Sequence, residues 1–165
     1  MIEWSTDNRY NEFNSAKGLT FYREYQAIVD WMEGKGKLLP AIECSFDPIT
    51  LCNLKCYYCN SQRYLDDYGR MSLGHMKKMI TFLTKWGTKG LCFGGGGESL
   101  LNKDMWALPR YVAERGIQPA IITNGTIMND VLLGNMSSCK WVAFSVDAAT
   151  PGAVPPRPPS RATVA

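Results

Sequence analysis

Residues 90–98 have the sequence GLCFGGGGE, a short apolar segment that runs into four consecutive glycines and a glutamate. A four-residue apolar run that ends in glycine predicts a buried β-strand. Glycines after such a strand let the backbone approach a ligand closely, because no Cβ screens its amides and carbonyls. The stretch therefore predicts a strand followed by a ligand-binding loop.

Strand and helix patterns alternate on both sides of this stretch. Apolar alternation predicts further strands at about residues 42–46, 119–123 and 141–146, and apolar residues at helical spacing predict helices at 20–33, 73–86, 102–115 and 129–136. Ser72 is the predicted N-cap of the 73–86 helix, and Pro109 is expected to kink the 102–115 helix. Strands that alternate with helices predict an α/β fold with a parallel sheet of about four βα units, preceded by an N-terminal helical extension.

The composition is that of an ordinary globular protein. The chain has 165 residues, 45% of them hydrophobic, and a net charge of +3, which argues against a disordered chain and against a nucleic-acid partner. No apolar run reaches the roughly 18 residues that a membrane span needs. The N-terminus lacks a basic region followed by an apolar stretch, so a cytoplasmic location without a membrane partner is expected.

The composition changes near residue 150. Residues 151–165 contain five of the nine prolines and no aromatic residue, so they cannot form a helix or a central strand. We therefore expect three parts: an extension with one amphipathic helix at 1–40, a core at 41–150, and a disordered proline-rich tail at 151–165. A frameshift or a truncation would also produce such a tail.

Three of the six cysteines lie within eight residues, with the spacing C-x3-C-x2-C: Cys52, Cys56 and Cys59. In a reducing compartment such cysteines favour metal ligation over disulfides. Zinc usually takes a fourth protein ligand, whereas an iron–sulfur cluster bound by three cysteines leaves one iron open. A cluster is favoured, and zinc or a disulfide with a spare thiol stays open.

Four motifs in this order resemble the radical S-adenosylmethionine (radical SAM) enzymes. They are the loop CNLKCYYC at 52–59, Gly-Gly-Glu within 94–98, Thr-Asn-Gly at 123–125 and the S-x-D segment at 145–147. Ser99 stands where the family usually has proline. The resemblance covers about residues 41–150 and implies a partial TIM-like barrel.

The resemblance implies a cofactor site as well as a fold. The three cysteines would bind a [4Fe–4S] cluster, and the open iron would bind S-adenosylmethionine. The implied cofactor-binding residues are Tyr58, Gly95, Gly96, Gly97, Glu98, Asn124, Ser145 and Asp147. No catalytic side chain beyond the cluster ligands is implied, and Asn124 is expected to serve the Asn-Gly turn first.

The implied reaction is reductive cleavage of S-adenosylmethionine to a 5′-deoxyadenosyl radical that abstracts hydrogen from a substrate. A peptide or protein substrate is expected by analogy alone, and flavodoxin or ferredoxin is the expected electron donor. The competing hypotheses are a non-catalytic iron–sulfur or zinc module and an inactive truncated remnant.

Overall fold

The computed structural model describes residues 22–56, 58–61 and 69–147, and the chain divides into two units, Met1–Ile42 and Glu43–Ala165. In the first unit, helix α1 (Tyr22–Met32) has no buried residue and is followed by Gly34 at a φ of 76°. The predicted tail at 151–165 lies outside the described residues.

The second unit alternates strands and helices. Its elements are β1 (Glu43–Phe46), α2 (Leu73–Trp86), β2 (Gly90–Phe93), two 3₁₀ turns (Ser99–Leu101 and Lys103–Met105), α3 (Leu108–Ala113), β3 (Gln118–Thr123), α4 (Asp130–Met136) and β4 (Trp141–Phe144). Helix α2 begins as predicted, with the Ser72 hydroxyl accepting a hydrogen bond from the His75 amide at 3.4 Å. It ends at Gly87, whose left-handed conformation is typical of a helix C-terminus.

The four strands form one parallel sheet in the order β1-β2-β3-β4. The predicted α/β fold with a parallel sheet is therefore confirmed, and the sheet is not closed into a barrel. Strand β2 is buried on both faces, as expected for a central parallel strand. All four strands run in the same direction, so their carboxyl ends meet at one edge of the sheet.

Apolar side chains from the strands and helices of the second unit form a core beneath this edge. Its buried members are Phe46, Met76, Ile80, Leu83, Leu91, Phe93, Leu100, Met105, Leu108, Val112, Ile117, Ile121, Leu132 and Met136. The rings of Phe46 on β1 and Phe93 on β2 pack edge to face, with centroids 5.8 Å apart. This packing joins the first two strands just below the loops that follow them.

Three details of the predicted elements are wrong. The 102–115 helix is two 3₁₀ turns followed by the short α3, because Pro109 lacks the N–H that a helix would need there and lies in the first turn instead. Strand β4 ends at Phe144 rather than at Val146, because its pairing partner β3 ends at Thr123, which lies opposite Phe144. Met79, which helical spacing places with Met76 and Leu83 on the apolar face of the predicted 73–86 helix, is 42% exposed.

Within the part of the chain that the structure describes, every helix is too short or too polar to span a lipid bilayer.

Candidate functional site

A cleft of about 350 Å³ opens at the carboxyl ends of the four strands. This volume lies at the lower end of the range for small-molecule sites, and its position is where open α/β sheets bind ligands. Every site residue predicted from the sequence lines it: Cys52, Cys56, Tyr58, Cys59, Gly95, Gly96, Gly97, Glu98, Asn124, Ser145 and Asp147. The structure thus brings together residues that are as much as 95 positions apart in the sequence.

The cysteine loop leaves β1 and is closed at its base by two short contacts. Ile49 and Arg70 form an antiparallel bridge, and the Thr50 amide donates to the Gly69 carbonyl at 3.0 Å. The fully buried Asn102 fastens both sides, because its Nδ2 donates to the carbonyls of Pro48 at 3.0 Å and Met71 at 2.9 Å. The loop that carries the cysteines is therefore anchored by a side chain from the neighbouring segment.

The three cysteines are half-buried free thiols on the wall of the cleft. The Cys52 sulfur accepts a hydrogen bond from the Leu54 amide at 3.4 Å, and the Cys59 amide donates to the Cys56 carbonyl at 3.1 Å. Among the described residues, no three His, Cys, Asp or Glu side chains converge on a point that would hold a single metal ion. The thiols instead share one cleft.

The glycine run lies where side chains would not fit. A Cβ on Gly97 would lie 2.6 Å from the Ile49 carbonyl oxygen, and a Cβ on Gly95 would lie 2.9 Å from Oδ2 of Asp47. Gly95 also has a φ of 155°, which L side chains rarely adopt. The backbone of this run is therefore packed against the base of the cysteine loop and bare toward the cleft.

Glu98 is a buried link between β2 and β3. Its side chain is 3% exposed, and Oε1 accepts from the Thr123 hydroxyl at 2.7 Å and the Leu100 amide at 3.2 Å. Its Oε2 accepts from the Asn124 amide at 2.7 Å. A carboxylate can accept about four hydrogen bonds, so protein donors leave about one acceptor position on Oε2.

Tyr58 and Asp147 connect the cysteine loop to the segment after β4. The Tyr58 hydroxyl forms a hydrogen bond with the Asp147 carboxylate, and this bond is the largest of the effects that raise the pKa of Tyr58 above its usual value. The Tyr58 ring remains 54% exposed. Ser145 lies nearby, with its amide donating to the Thr123 carbonyl at 2.8 Å.

The Asn124 side chain forms the predicted turn and also contacts the cysteine loop. Its Oδ1 accepts from the Thr126 amide at 3.0 Å, which is the hydrogen bond of an Asx turn. Its Nδ2 donates to Oδ1 of Asn53 at 2.9 Å, and Asn53 Nδ2 donates to the Thr126 hydroxyl at 2.6 Å.

Several site residues were missed by the sequence analysis. Leu54, Asn60, Ile122 and Thr123 also line the cleft, while Asp47, Asn53 and Asn102 support it. The sequence could have indicated Ile122, because it follows the buried Ile121 on β3 and must therefore face the other side of the strand. No local pattern indicates Asn53 or Asn102, since the residues that they contact are distant in the sequence.

The remaining cysteines lie outside the cleft lining. Cys92 is buried on β2, and the half-buried Cys44 and Cys139 pack against the core. Burial, with a smaller effect of Cys92, raises the pKa of Cys139 to about 12. The reactive thiolate form of Cys139 is therefore disfavoured in the folded chain.

Comparison with known proteins confirms the resemblance of the motifs. The family model of the radical SAM superfamily matches residues 47–158, a range that includes the whole cleft. The chain belongs to that superfamily. Its members among the curated relatives include synthases, cyclases and a dehydratase.

The curated relatives of this radical SAM chain match somewhat more than half of it. Fe-coproporphyrin III synthase of Methanosarcina barkeri is 34% identical over 99 residues, which are 58% of this chain and 25% of that protein. The S-adenosylmethionine-dependent nucleotide dehydratase of Selenomonas ruminantium is 32% identical over 103 residues, or 61% of this chain and 37% of that protein. The chain thus matches well under two thirds of the length of these relatives.

Solved structures show the same fold. Streptococcus suis SuiB bound to the precursor peptide SuiA superposes with a TM-score of 0.57 at 20% identity, covering 86% of this chain and 30% of SuiB. SuiB bound to S-adenosylmethionine superposes with a TM-score of 0.56 at 18% identity, covering 86% of this chain and 31% of SuiB.

Proposed function

We propose that the cleft binds a [4Fe–4S] cluster through Cys52, Cys56 and Cys59 and binds S-adenosylmethionine beside it. The observation that carries this proposal is that three thiols and a bare glycine backbone line one cleft. Each cysteine of such a cluster binds a different iron, so the thiols need to share a cleft rather than meet at one point. The donor set fits the group, since thiolates are the usual cluster ligands.

The residues opposite the cysteines suit the cofactor. Backbone groups of Gly95–Gly97 reach the cleft without a Cβ, and Glu98 keeps an acceptor position beside them. We assign these groups to the ammonium of S-adenosylmethionine, because charge-assisted hydrogen bonds are the strong ones. Ser145 and Asp147 are assigned to the ribose hydroxyls, and the exposed Tyr58 ring to the adenine.

Cys52, Cys56 and Cys59 would hold the cluster, which when reduced would supply one electron for cleavage of the S-adenosylmethionine sulfonium and so for hydrogen abstraction from the substrate. The protein residues bind and orient the cofactor and keep water from the cleft. No side chain is assigned as a catalytic acid or base. Flavodoxin or ferredoxin is the proposed electron donor, and the proposed compartment is the cytoplasm.

Cysteine variants test the ligand assignment. The full chain is reconstituted anaerobically with iron and sulfide, and both are then counted per chain. Single Cys52→Ala, Cys56→Ala and Cys59→Ala variants are expected to lose the cluster signature. Cys44→Ala is the matched control, because Cys44 is also half-buried but packs against the core outside the cleft. Full loading of any of the three cleft variants contradicts the assignment.

We further propose a peptide or protein as the substrate class. The support is that the structurally similar SuiB was solved with a precursor peptide, while the curated relatives are named for other substrates. A mixture of fully deuterated peptides tests the proposal. Deuterium in the 5′-deoxyadenosine formed by the reduced protein supports a peptide donor, and turnover without deuterium uptake contradicts it.

A further inference from the structure

The sulfur of Cys52 accepts two N–H groups from different parts of the chain. One is the amide of Leu54, at 3.4 Å within the loop. The other is Nδ2 of Asn124, at 4.0 Å from the turn after β3. The second contact is long for a thiol, but a thiolate is the stronger acceptor, because hydrogen bonds to charged groups are shorter and stronger.

The orientation of the Asn124 amide is determined by its partners. The Thr126 amide can only donate, so Oδ1 of Asn124 must face it, at 3.0 Å. The Thr126 hydroxyl also donates to Oδ1, at 2.7 Å. Nδ2 therefore faces the cysteine loop, with one N–H directed to Asn53 Oδ1 at 2.9 Å and the other available to Cys52.

Asn53 completes a closed ring of three side chains. Its Oδ1 accepts from Asn124 and its Nδ2 donates to the Thr126 hydroxyl at 2.6 Å. Asn53 is the residue next to Cys52, so this ring ties the first cysteine of the loop to the end of β3. The ring consists of Asn53, Asn124 and Thr126, and each side chain is hydrogen-bonded to the other two.

We propose that Asn124 is a positioning residue that donates an N–H to the Cys52 sulfur, with Asn53 and Thr126 fixing its amide. The inference rests on the proposed function, because it assigns Asn124 to the cluster ligand rather than to S-adenosylmethionine. Hydrogen bonds to the sulfurs withdraw electron density and so raise the reduction potential of a cluster. Groups that orient a metal ligand also slow loss of the metal.

An Asn124→Leu variant tests the donor, because leucine is of similar size and has no N–H. The full chain is reconstituted anaerobically, and its cluster is titrated electrochemically with electron paramagnetic resonance as the readout. At a fixed solution potential the reduced-to-oxidised ratio is expected to fall about tenfold, which for one electron is about 59 mV. Release of iron to a chelator is expected to be about tenfold faster.

Two further variants separate positioning from stability. Asn53→Ala removes one of the hydrogen bonds that orient the Asn124 amide. It is expected to lower the reduction potential of the cluster, but by less than Asn124→Leu does. Asn129→Ala is the matched control, because Asn129 caps α4 by accepting from the Leu132 amide at 3.0 Å and does not line the cleft. It is expected to lower the melting temperature and leave the potential unchanged.

The outcomes distinguish the two proposals. A wild-type chain that forms no cluster refutes the proposed function. If the wild type and Asn124→Leu both bind the cluster and their reduction potentials are equal, the positioning role of Asn124 is overturned but the proposed function is not. If Asn124→Leu does not load, Asn53→Ala decides: a more negative potential supports the role, and an unchanged one overturns it.

Discussion

The carboxylate of Glu98 accepts a hydrogen bond from the hydroxyl of Thr123 at 2.7 Å, and both side chains are almost fully buried. This contact joins the loop after β2 to the last residue of β3 at the floor of the cleft. The second oxygen of Glu98 accepts from the next amide along, that of Asn124. Glu98 therefore determines the spacing of two strand ends as well as facing the proposed cofactor.

Thr123→Val is expected to destabilise the protein by about 1.5–3 kcal/mol, the range for a hydrogen bond to a charged group. Valine keeps the shape of threonine but leaves the buried Glu98 oxygen with one donor fewer. Thr123→Ser, which keeps the hydroxyl, is the control and is expected to lose less stability than Thr123→Val. Urea denaturation measures both, and a Thr123→Val variant as stable as the wild type would show that the contact contributes nothing.

Gly97→Ala is expected to displace the cysteine loop. Its Cβ would lie within 2.6 Å of the carbonyl oxygens of Ile49 and Leu51, and backbone atoms cannot move aside as a flexible side chain can. Overpacking of this kind costs about 1–3 kcal/mol.

Gly134→Ala provides the contrast to Gly97→Ala. Nothing lies within 4 Å of a Cβ built on Gly134, which is in α4. Alanine there is expected to stabilise the helix by about 0.5–1 kcal/mol. Thermal denaturation measures both variants, and Gly97→Ala is expected to melt at the lower temperature. Equal melting temperatures would contradict the close approach of backbone atoms at Gly97.

Asn102→Ala is expected to loosen the base of the cysteine loop. It leaves the Met71 carbonyl without its donor and the Pro48 carbonyl with the Met71 amide alone, and an unpaired buried group costs about 1–3 kcal/mol. Limited proteolysis is expected to cleave the loop faster. Asn129→Ala, which removes a helix cap worth about 1 kcal/mol, is expected to leave the cleavage rate in the loop unchanged; equal cleavage in the two variants would contradict the anchoring role.

Cys139 is expected to resist alkylation in the folded protein. Burial raises its pKa from 9.0 to about 12, so the reactive thiolate at pH 8 is about a thousandfold rarer than in the unfolded chain. Because the folded-state pKa is the higher one, the neutral thiol favours folding below pH 9, and this stabilisation is lost as the pH rises from 9 to 12. Peptide mapping after iodoacetamide treatment measures the rate, and equal rates with and without urea would refute the prediction.

Local patterns were enough to predict much of the fold. The bounds of α2 and the Ser72 cap follow from helical spacing and capping, and β2 follows from an apolar run that ends in glycine. The prediction of one long helix at 102–115 was wrong. Apolar spacing indicates such a helix, but Pro109 lacks the backbone N–H that a residue inside it would need.

The members of the site were predictable, but their mutual contacts were not. Motifs at strand ends placed all of the predicted residues in one cleft, because parallel strands end at one edge of a sheet. The Asn53–Asn124 contact joins residues 71 positions apart, and Asn102 reaches Pro48 across 54. These contacts join positions far apart in the sequence, so only the folded chain reveals the partners.

The most direct test of the central claim is electron paramagnetic resonance of the reconstituted, reduced chain with and without S-adenosylmethionine. We predict a [4Fe–4S] signal that changes when S-adenosylmethionine is added, because the iron without a cysteine is open to the cofactor. A chain that forms no cluster, or one whose cluster signal is the same with and without S-adenosylmethionine, would contradict the assignment of the cleft.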